Sequence, residues 1–238
     1  MITLAFDTTA KIASVAVLDG ERVLANYSID NGLTQSELIL PMAENMLSSL
    51  KLTFNDVGLI ATSVGPGSFT GVRIGVALAK GLAFGKDIPI CEVSTLEALA
   101  ENIGALRGIL VPAMDARRSQ VYNALFRSNG KAIERLTEDR AISLSQLCCE
   151  LKAYEGERIY ISGDGYGVTA KALTAEGISF EATPELLIAE SAVSVGRVAQ
   201  RMLARGETVS DKELKPTYLR LPQAERERLE KEKAERKN

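Results

Sequence analysis

The chain has 238 residues, with 28 Lys and Arg against 31 Asp and Glu, a net charge of -3 at pH 7, and no histidine. Its length suffices for one large domain or two modest ones, each with a core. Lack of histidine removes His-based acid–base catalysis, Ser–His and Cys–His nucleophile pairs and His-ligated zinc, and the acidic balance argues against a chain that grips nucleic acid alone. Any nucleic-acid role is therefore expected to be shared with a partner. Cys91, Cys148 and Cys149 make no disulfide framework and suit a reducing cytoplasm. Met1-Ile2-Thr3-Leu4 runs straight into a strand pattern with no basic segment or cleavage site, so neither secretion nor a membrane is expected.

In chain order, Ile2 to Phe6 reads as a strand ending at Asp7-Thr8-Thr9. Ser14 to Leu18 reads as a second, and Asp19-Gly20 as a hairpin turn into a third, Arg22 to Ser28. Thr34-Gln35-Ser36-Glu37 has capping-box spacing and opens a helix with Leu38, Met42, Met46 and Leu50 along one face. Pro41 is expected to kink that helix. A strand from Val57 to Ala61 leads into Gly65-Pro66-Gly67-Ser68-Phe69-Thr70-Gly71-Val72-Arg73-Ile74-Gly75.

Gly65 and Gly67 allow backbone angles closed to other residues, and Pro66 pushes Gly65 towards an extended conformation. The spacing is not that of a Walker loop, because Thr70 stands where the second glycine belongs, and it fails the dinucleotide fingerprint too. Two readings remain: a tight turn into a closely packed helix, or backbone N–H groups presented to an anion where a helix begins. The helix from Val72 to Phe84 is apolar nearly all round, with Arg73 and Lys80 its charges. Gly71, Gly75 and Ala79 form a ridge without bulk, and Ile74, Leu78 and Leu82 supply volume opposite. Such a helix must be buried nearly all round, by a sheet on one side and a second helix, domain or protein on the other.

A short strand, Ile88 to Cys91, and a helix opened by Ser94 or Thr95 complete a βββαβαβα order. The pattern then begins again. Ile109 to Met114 is a strand ending at Asp115, Gln120 to Arg127 a second, and Asn129-Gly130 a turn into a third. Ser143-Leu144-Ser145-Gln146 caps a helix, Arg158 to Ile161 is a strand, and Gly163-Asp164-Gly165 is a glycine turn. Asp115 follows Asp7 by 108 residues and Gly163 follows Gly65 by 98. A duplicated unit is the economical reading: an α/β protein of two lobes, 1–105 and 106–220, each a mixed sheet with helices, and a charged tail over 221–238, helical or disordered. Two facing lobes form a cleft with Asp7 and Asp115 at matching strand ends, where ligands favour the carboxyl ends of strands. Each aspartate has a plainer reading as a turn residue bonding its own backbone. Ser191 to Arg205 is an amphipathic closing helix, and Lys215-Pro216-Thr217-Tyr218-Leu219-Arg220 is extended.

Two glycine-turned halves with an aspartate at each first strand resemble the actin, sugar-kinase and heat-shock ATPase superfamily. Within it, Asp7-Thr8-Thr9, the Gln35-Ser36-Glu37 to Leu40-Pro41-Met42 helix, the eleven-residue glycine motif, Asp115-Ala116-Arg117-Arg118 with Val121-Tyr122, and Pro216-Thr217-Tyr218-Leu219-Arg220 resemble the TsaB (YeaZ) family. These are the non-catalytic subunits of the bacterial machinery that makes threonylcarbamoyladenosine in tRNA. The resemblance covers residues 1 to about 125 well and thins to the C-terminal motif afterwards. It implies a chain that binds the paralogous subunit TsaD, which acylates N6 of the adenosine beside the anticodon, with the ATPase TsaE joining them. In TsaD the corresponding strand leads into a His-x-x-x-His metal pair. Thr95 and Leu99 stand in those places here and cannot hold a metal. The family often has His where Gln35 stands.

The resemblance assigns partner binding to the two helices, through Leu38, Met42, Met46, Gly71, Ile74, Gly75, Leu78, Ala79 and Leu82. The plainer reading is that the helices cover each other. A homodimer through the same surface is expected when TsaD is absent, with tRNA touched only through the complex. A nucleotide or phosphate cleft would be formed by Asp7, Thr8, Thr9, Gly65, Gly67 and Asp115. No cofactor is implied for the chain alone, and ATP or ADP is expected, if at all, only within the complex. The alternative is an active ATPase or phosphotransferase of the superfamily, but no glycine-rich adenosine-holding stretch follows Gly163-Asp164-Gly165. A peptidase is left without a histidine or a metal-ligand cluster to support it.

Overall fold

The structure, a computed structural model, describes residues 1–220. The expected charged tail over 221–238 lies outside the described residues. β1 (Ile2–Asp7), β2 (Ala13–Asp19) and β3 (Arg22–Ile29) form an antiparallel meander, with Gly20 at φ 54° in its first hairpin. β4 (Val57–Gly65) and β5 (Ile90–Ser94) add in parallel on the other side of β1, giving the order β3-β2-β1-β4-β5.

Alternation along β1 decides what covers each face. Leu4 and Phe6 join Val15, Val17 and Ile60 in a core closed by α1 (Gln35–Ser49) and α2 (Phe69–Ala83). Ala5, Ala16, Leu18, Leu59 and Ala61 face the opposite way, onto α6 (Ala192–Ala204). Alanines on that face let α6 lie close. Gly196 continues the fit, since a Cβ there would meet Leu18 Cδ1 at 2.5 Å.

The second sheet repeats the plan. β6 (Gly108–Asp115) is its central strand, paired in parallel with β11 (Ile159–Ser162). The single strand expected from Gln120 to Arg127 is broken into β7 (Gln120–Asn123) and β8 (Phe126–Ser128), which pair with successive halves of β6. The break is stabilised by side-chain chemistry that the strand pattern hides: Thr137 Oγ1 accepts the Leu125 N–H at 2.8 Å, and Leu125 O accepts the Leu136 and Thr137 N–H groups. β9 (Ile133–Arg135) and β10 (Arg140–Ser143) flank the two pieces, and α4 (Leu144–Leu151) and α5 (Tyr166–Ala175) complete the lobe. The duplicated two-lobe plan is present, with each aspartate ending its central strand. Asp7 Oδ1 accepts the N–H of Thr9 and Asp115 Oδ1 that of Arg117, both at 2.8 Å.

The two sheets divide between β5 and β6, but two of the helices do not keep to that division. α3 (Thr95–Asn102) leaves the first sheet and buries Leu96, Leu99 and Ala100 against Leu110, Met114, Phe126 and Tyr160 of the second lobe. In return α6 lies under the first sheet. The segment after it stays there: Val209 pairs with Ile90, Leu214 is buried in the first core, and Thr217 N–H donates to Val64 O at 2.8 Å. Each sheet needs a cover on its inner face, and each takes it from sequence beyond its own half.

Local signals held unevenly. Ser68, Ser94 and Ser143 each cap a helix by accepting a backbone N–H, and Gln146 completes a reciprocal capping box with Ser143. Thr34 makes no side-chain cap bond. Its hydroxyl pairs with Ser36 instead, so the expected capping box is absent. α1 runs unbroken through Pro41, which sits on its exposed side. Among the described residues no helix is long and apolar enough to cross a membrane.

Candidate functional site

The floor of the cleft is built where β1 and β4 end. Asp7 is fully enclosed: Oδ1 accepts the Thr9 N–H and hydroxyl at 2.8 and 2.6 Å, and Oδ2 accepts the Ser63 hydroxyl at 2.6 Å. Burial pushes its carboxyl above the usual range, against the pull of those hydrogen bonds. Thr8 and Thr9 are equally buried. The glycine motif packs straight onto them. A Cβ on Gly71 would stand 1.9 Å from Thr8 O, one on Gly67 2.6 Å from Thr9 O, and one on Gly75 2.7 Å from Thr8 Oγ1. Thr8 Oγ1 donates to Gly71 O at 2.7 Å, and Ser68 N–H donates to Thr9 O at 2.7 Å. Gly65, expected to be extended, has φ 115° and receives Thr217 O on the side where a Cβ would go. The glycines therefore serve the close approach of the chain's own backbone.

The other wall comes from the second lobe. Asp115 is partly exposed, pairs with Arg117 at 3.2 Å, and its N–H donates to Asp164 Oδ1 at 2.9 Å. Burial raises the Asp164 carboxyl, partly offset by that N–H. Glu190, which sequence reasoning did not single out, is 5% exposed, and its Oε1 has no hydrogen-bond partner among the described residues. Burial first, then the charge of Asp7, pushes its carboxyl up to about 8. It stands beside Asp7 because Asn102 of α3 holds Leu187 O and Ala189 O, each at 3.0 Å. No local spacing marks such a residue.

A metal-bound nucleotide does not fit this floor. Both Asp7 oxygens are already satisfied, Glu190 favours its neutral form, and no group of three or more His, Cys, Asp or Glu placed to hold a metal occurs among the described residues. Of the six residues expected to line a phosphate cleft, Asp7, Thr8, Thr9, Gly65 and Gly67 are packed on one another or on the C-terminal segment, and Asp115 stands apart on the open side.

The neutral Glu190 gives a pH dependence of stability. The folded carboxyl keeps its proton up to about pH 8, whereas the unfolded one releases it near 4.5. Between those values the unfolded state binds fewer protons, so stability falls as pH rises and levels off above the folded value. Glu190→Gln, which copies the protonated group, should melt with the parent near pH 4.5 and roughly 5–10 °C above it at pH 8.5. Parallel melting curves at every pH would refute this.

The second candidate region is the outer side of the α1–α2 pair. Met42, Met46, Gly71, Gly75 and Ala79, expected to face a partner, are buried in the chain's own core or against Thr8. The reason is rotational: the Gly71, Gly75 and Ala79 ridge faces the sheet. The outward stripe of α2 is Arg73, Ala77 and Gly81, followed by Phe84 at 75% exposure. Ile74, Leu78 and Leu82 flank it half-buried, and Leu38 is half-buried on α1. Leu33 is exposed just before α1 and Leu40 in its second turn. Gln35 fastens that start by donating to Ala10 O at 2.7 Å.

Strand order, duplicated aspartate turns and exchanged helices define a protein of the actin-like two-lobe class with a closed floor. The chain matches the family described as TsaD: tRNA N6-adenosine threonylcarbamoyltransferase over residues 34–228. It is 31% identical to the tRNA threonylcarbamoyladenosine biosynthesis protein TsaB of Escherichia coli over 92% of this chain and 95% of that one. Against the protein of the same name from Bacillus subtilis it is 35% identical, over 69% and 72%. YeaZ from Pseudomonas aeruginosa is similar in structure, with TM-score 0.76 and 25% identity, covering 92% of this chain and 99% of that one. The chain belongs to the TsaB (YeaZ) family.

Proposed function

We propose that this chain is a non-catalytic subunit in the synthesis of threonylcarbamoyladenosine in tRNA, acting by binding TsaD and, through that complex, TsaE. The observation that carries this is the outward stripe of α2. Ala77 and Gly81 leave a shallow track beside the half-buried row of Ile74, Leu78 and Leu82, with nothing within 4 Å of a Cβ placed on Gly81. A helix from another protein can approach such a track closely and cover the apolar residues beside it. Phe84 leaves a further exposed apolar side chain at the end of the same helix. In the absence of TsaD a second copy would close over the same face as a two-fold dimer. The lack of chemistry of its own is supported by the closed floor and by Thr95 and Leu99, both buried where TsaD carries its histidine pair.

The test is reconstitution. Acylation of tRNA by TsaD and TsaE is expected to require this chain, and the chain alone should acylate nothing. Equal rates without it would refute the proposal.

A further inference from the structure

The segment after α6 carries a feature that the partner role leaves unused. Arg73 lies over the Phe69 ring, 3.7 Å from its centroid, and its Nε donates to the Tyr218 hydroxyl at 2.8 Å. The Phe69 and Tyr218 rings are 5.1 Å apart. Two residues on, Arg220 donates to Ala116 O at 2.9 Å, with its guanidinium 5.7 Å from the Tyr122 ring centroid. Ala116 opens a turn in which Arg117, Arg118 and Ser119 all have left-handed φ, of 63°, 54° and 57°. That turn holds Arg117 and Arg118 exposed beside the cleft. Asp115, next to it, is tied to Asp164, whose charge is felt by Lys11 of the opposite lobe. Hydrogen bonds, ring contacts and chain neighbours thus join Arg73 to Asp164, and Lys11 lies within electrostatic reach of that end from the opposite lobe.

Lys11, Arg73, Arg118 and Arg220 make no salt bridge to a carboxylate among the described residues, and the carboxylates within the string are Asp115, paired with Arg117, and the exposed Asp164, which accepts the Asp115 N–H. Three of these four cations are arginines, and Arg73 and Arg220 lie against aromatic rings. A guanidinium already stacked on one face is held in place with its other face open, an arrangement suited to an unpaired base, and its N–H groups suit phosphate oxygens.

We propose that Lys11, Arg73, Arg118 and Arg220, with Tyr122 and Tyr218, form a contact surface for unpaired RNA, by which this chain holds part of the tRNA within the complex. This rests on the proposed role in tRNA modification. The net acidic chain carries too few clustered cations to hold RNA tightly alone, so the surface adds to a site supplied mainly by the partner.

The experiment uses the double variant Lys11→Ala/Arg118→Ala, whose side chains have no hydrogen-bond partner among the described residues. In the reconstituted complex with TsaD and TsaE, tRNA affinity is read by fluorescence anisotropy across a salt series, and TsaD affinity by calorimetry. About a tenfold loss of tRNA affinity and a salt slope shallower by about one to two are expected, with TsaD affinity unchanged. Unchanged tRNA affinity in an assembled complex would overturn the surface. A second measurement is independent of assembly: ultraviolet crosslinking of the chain alone to an RNA stem–loop at low salt should label peptides containing Tyr122 or Tyr218. If TsaD does not bind but those peptides crosslink, the surface stands and the partner role falls. Absence of crosslinks overturns the surface, as does protection of the patch by an acidic segment of a partner protein instead of RNA.

Discussion

Replacing Gly71 by alanine should lower the melting temperature by roughly 4–8 °C, although alanine ordinarily strengthens a helix by about 1 kcal/mol relative to glycine. The added methyl would stand 1.9 Å from Thr8 O and 3.1 Å from Thr8 C, both backbone atoms in the middle of the protein. Neither can turn aside as a flexible side chain would. Either α2 lifts from β1, breaking the Thr8 Oγ1 bond to Gly71 O, or the turn after Asp7 shifts and disturbs the enclosed carboxylate. Overpacking against a fixed group costs on the order of 3 kcal/mol, more than the helix gain returns. The same substitution at Gly81, ten residues on in the same helix, meets nothing within 4 Å and should raise the melting temperature slightly. Thermal unfolding of the pair checks both signs. Equal shifts would mean that glycine in this helix has no role in the approach to Thr8.

Gly81→Arg should leave the isolated chain folded and weaken its association with TsaD by about a hundredfold or more, a change of about 2.7 kcal/mol. Exposure makes the substitution harmless to the monomer, and arginine is a better helix former than glycine. In a complex the same side chain would fill the track beside Ala77 and force a charge between apolar residues. A self-dimer built on that face should be lost in parallel. Titration calorimetry gives the first number, light scattering the second, and circular dichroism verifies the fold. Wild-type affinity for TsaD in the variant would move the docking site elsewhere. Loss of the fold would show that the outer side of α2 is needed for the chain's own stability.

By itself the sequence determined the order of strands and helices in the first half and, apart from the break between β7 and β8, strand β10 and helix α5, in the second, because alternation, hairpin turns such as Asp19-Gly20 and caps such as Ser143 with Gln146 act over a few residues. It also determined the two aspartates at matching strand ends and, through the lack of histidine, which chemistries are unavailable. The tertiary structure alone decided which side of α2 faces outward. A helix apolar nearly all round has no polar face to reveal its rotation, so the Gly71, Gly75 and Ala79 ridge reads equally well as inner or outer. It alone decided that α3 and α6 cross to the opposite lobes, since apolar periodicity says that a helix is covered and not by what. Glu190 beside Asp7, and the string from Arg73 through Tyr218 to Arg220 and Ala116, join residues far apart in the chain. Proximity of that kind arises from packing and leaves no spacing to read.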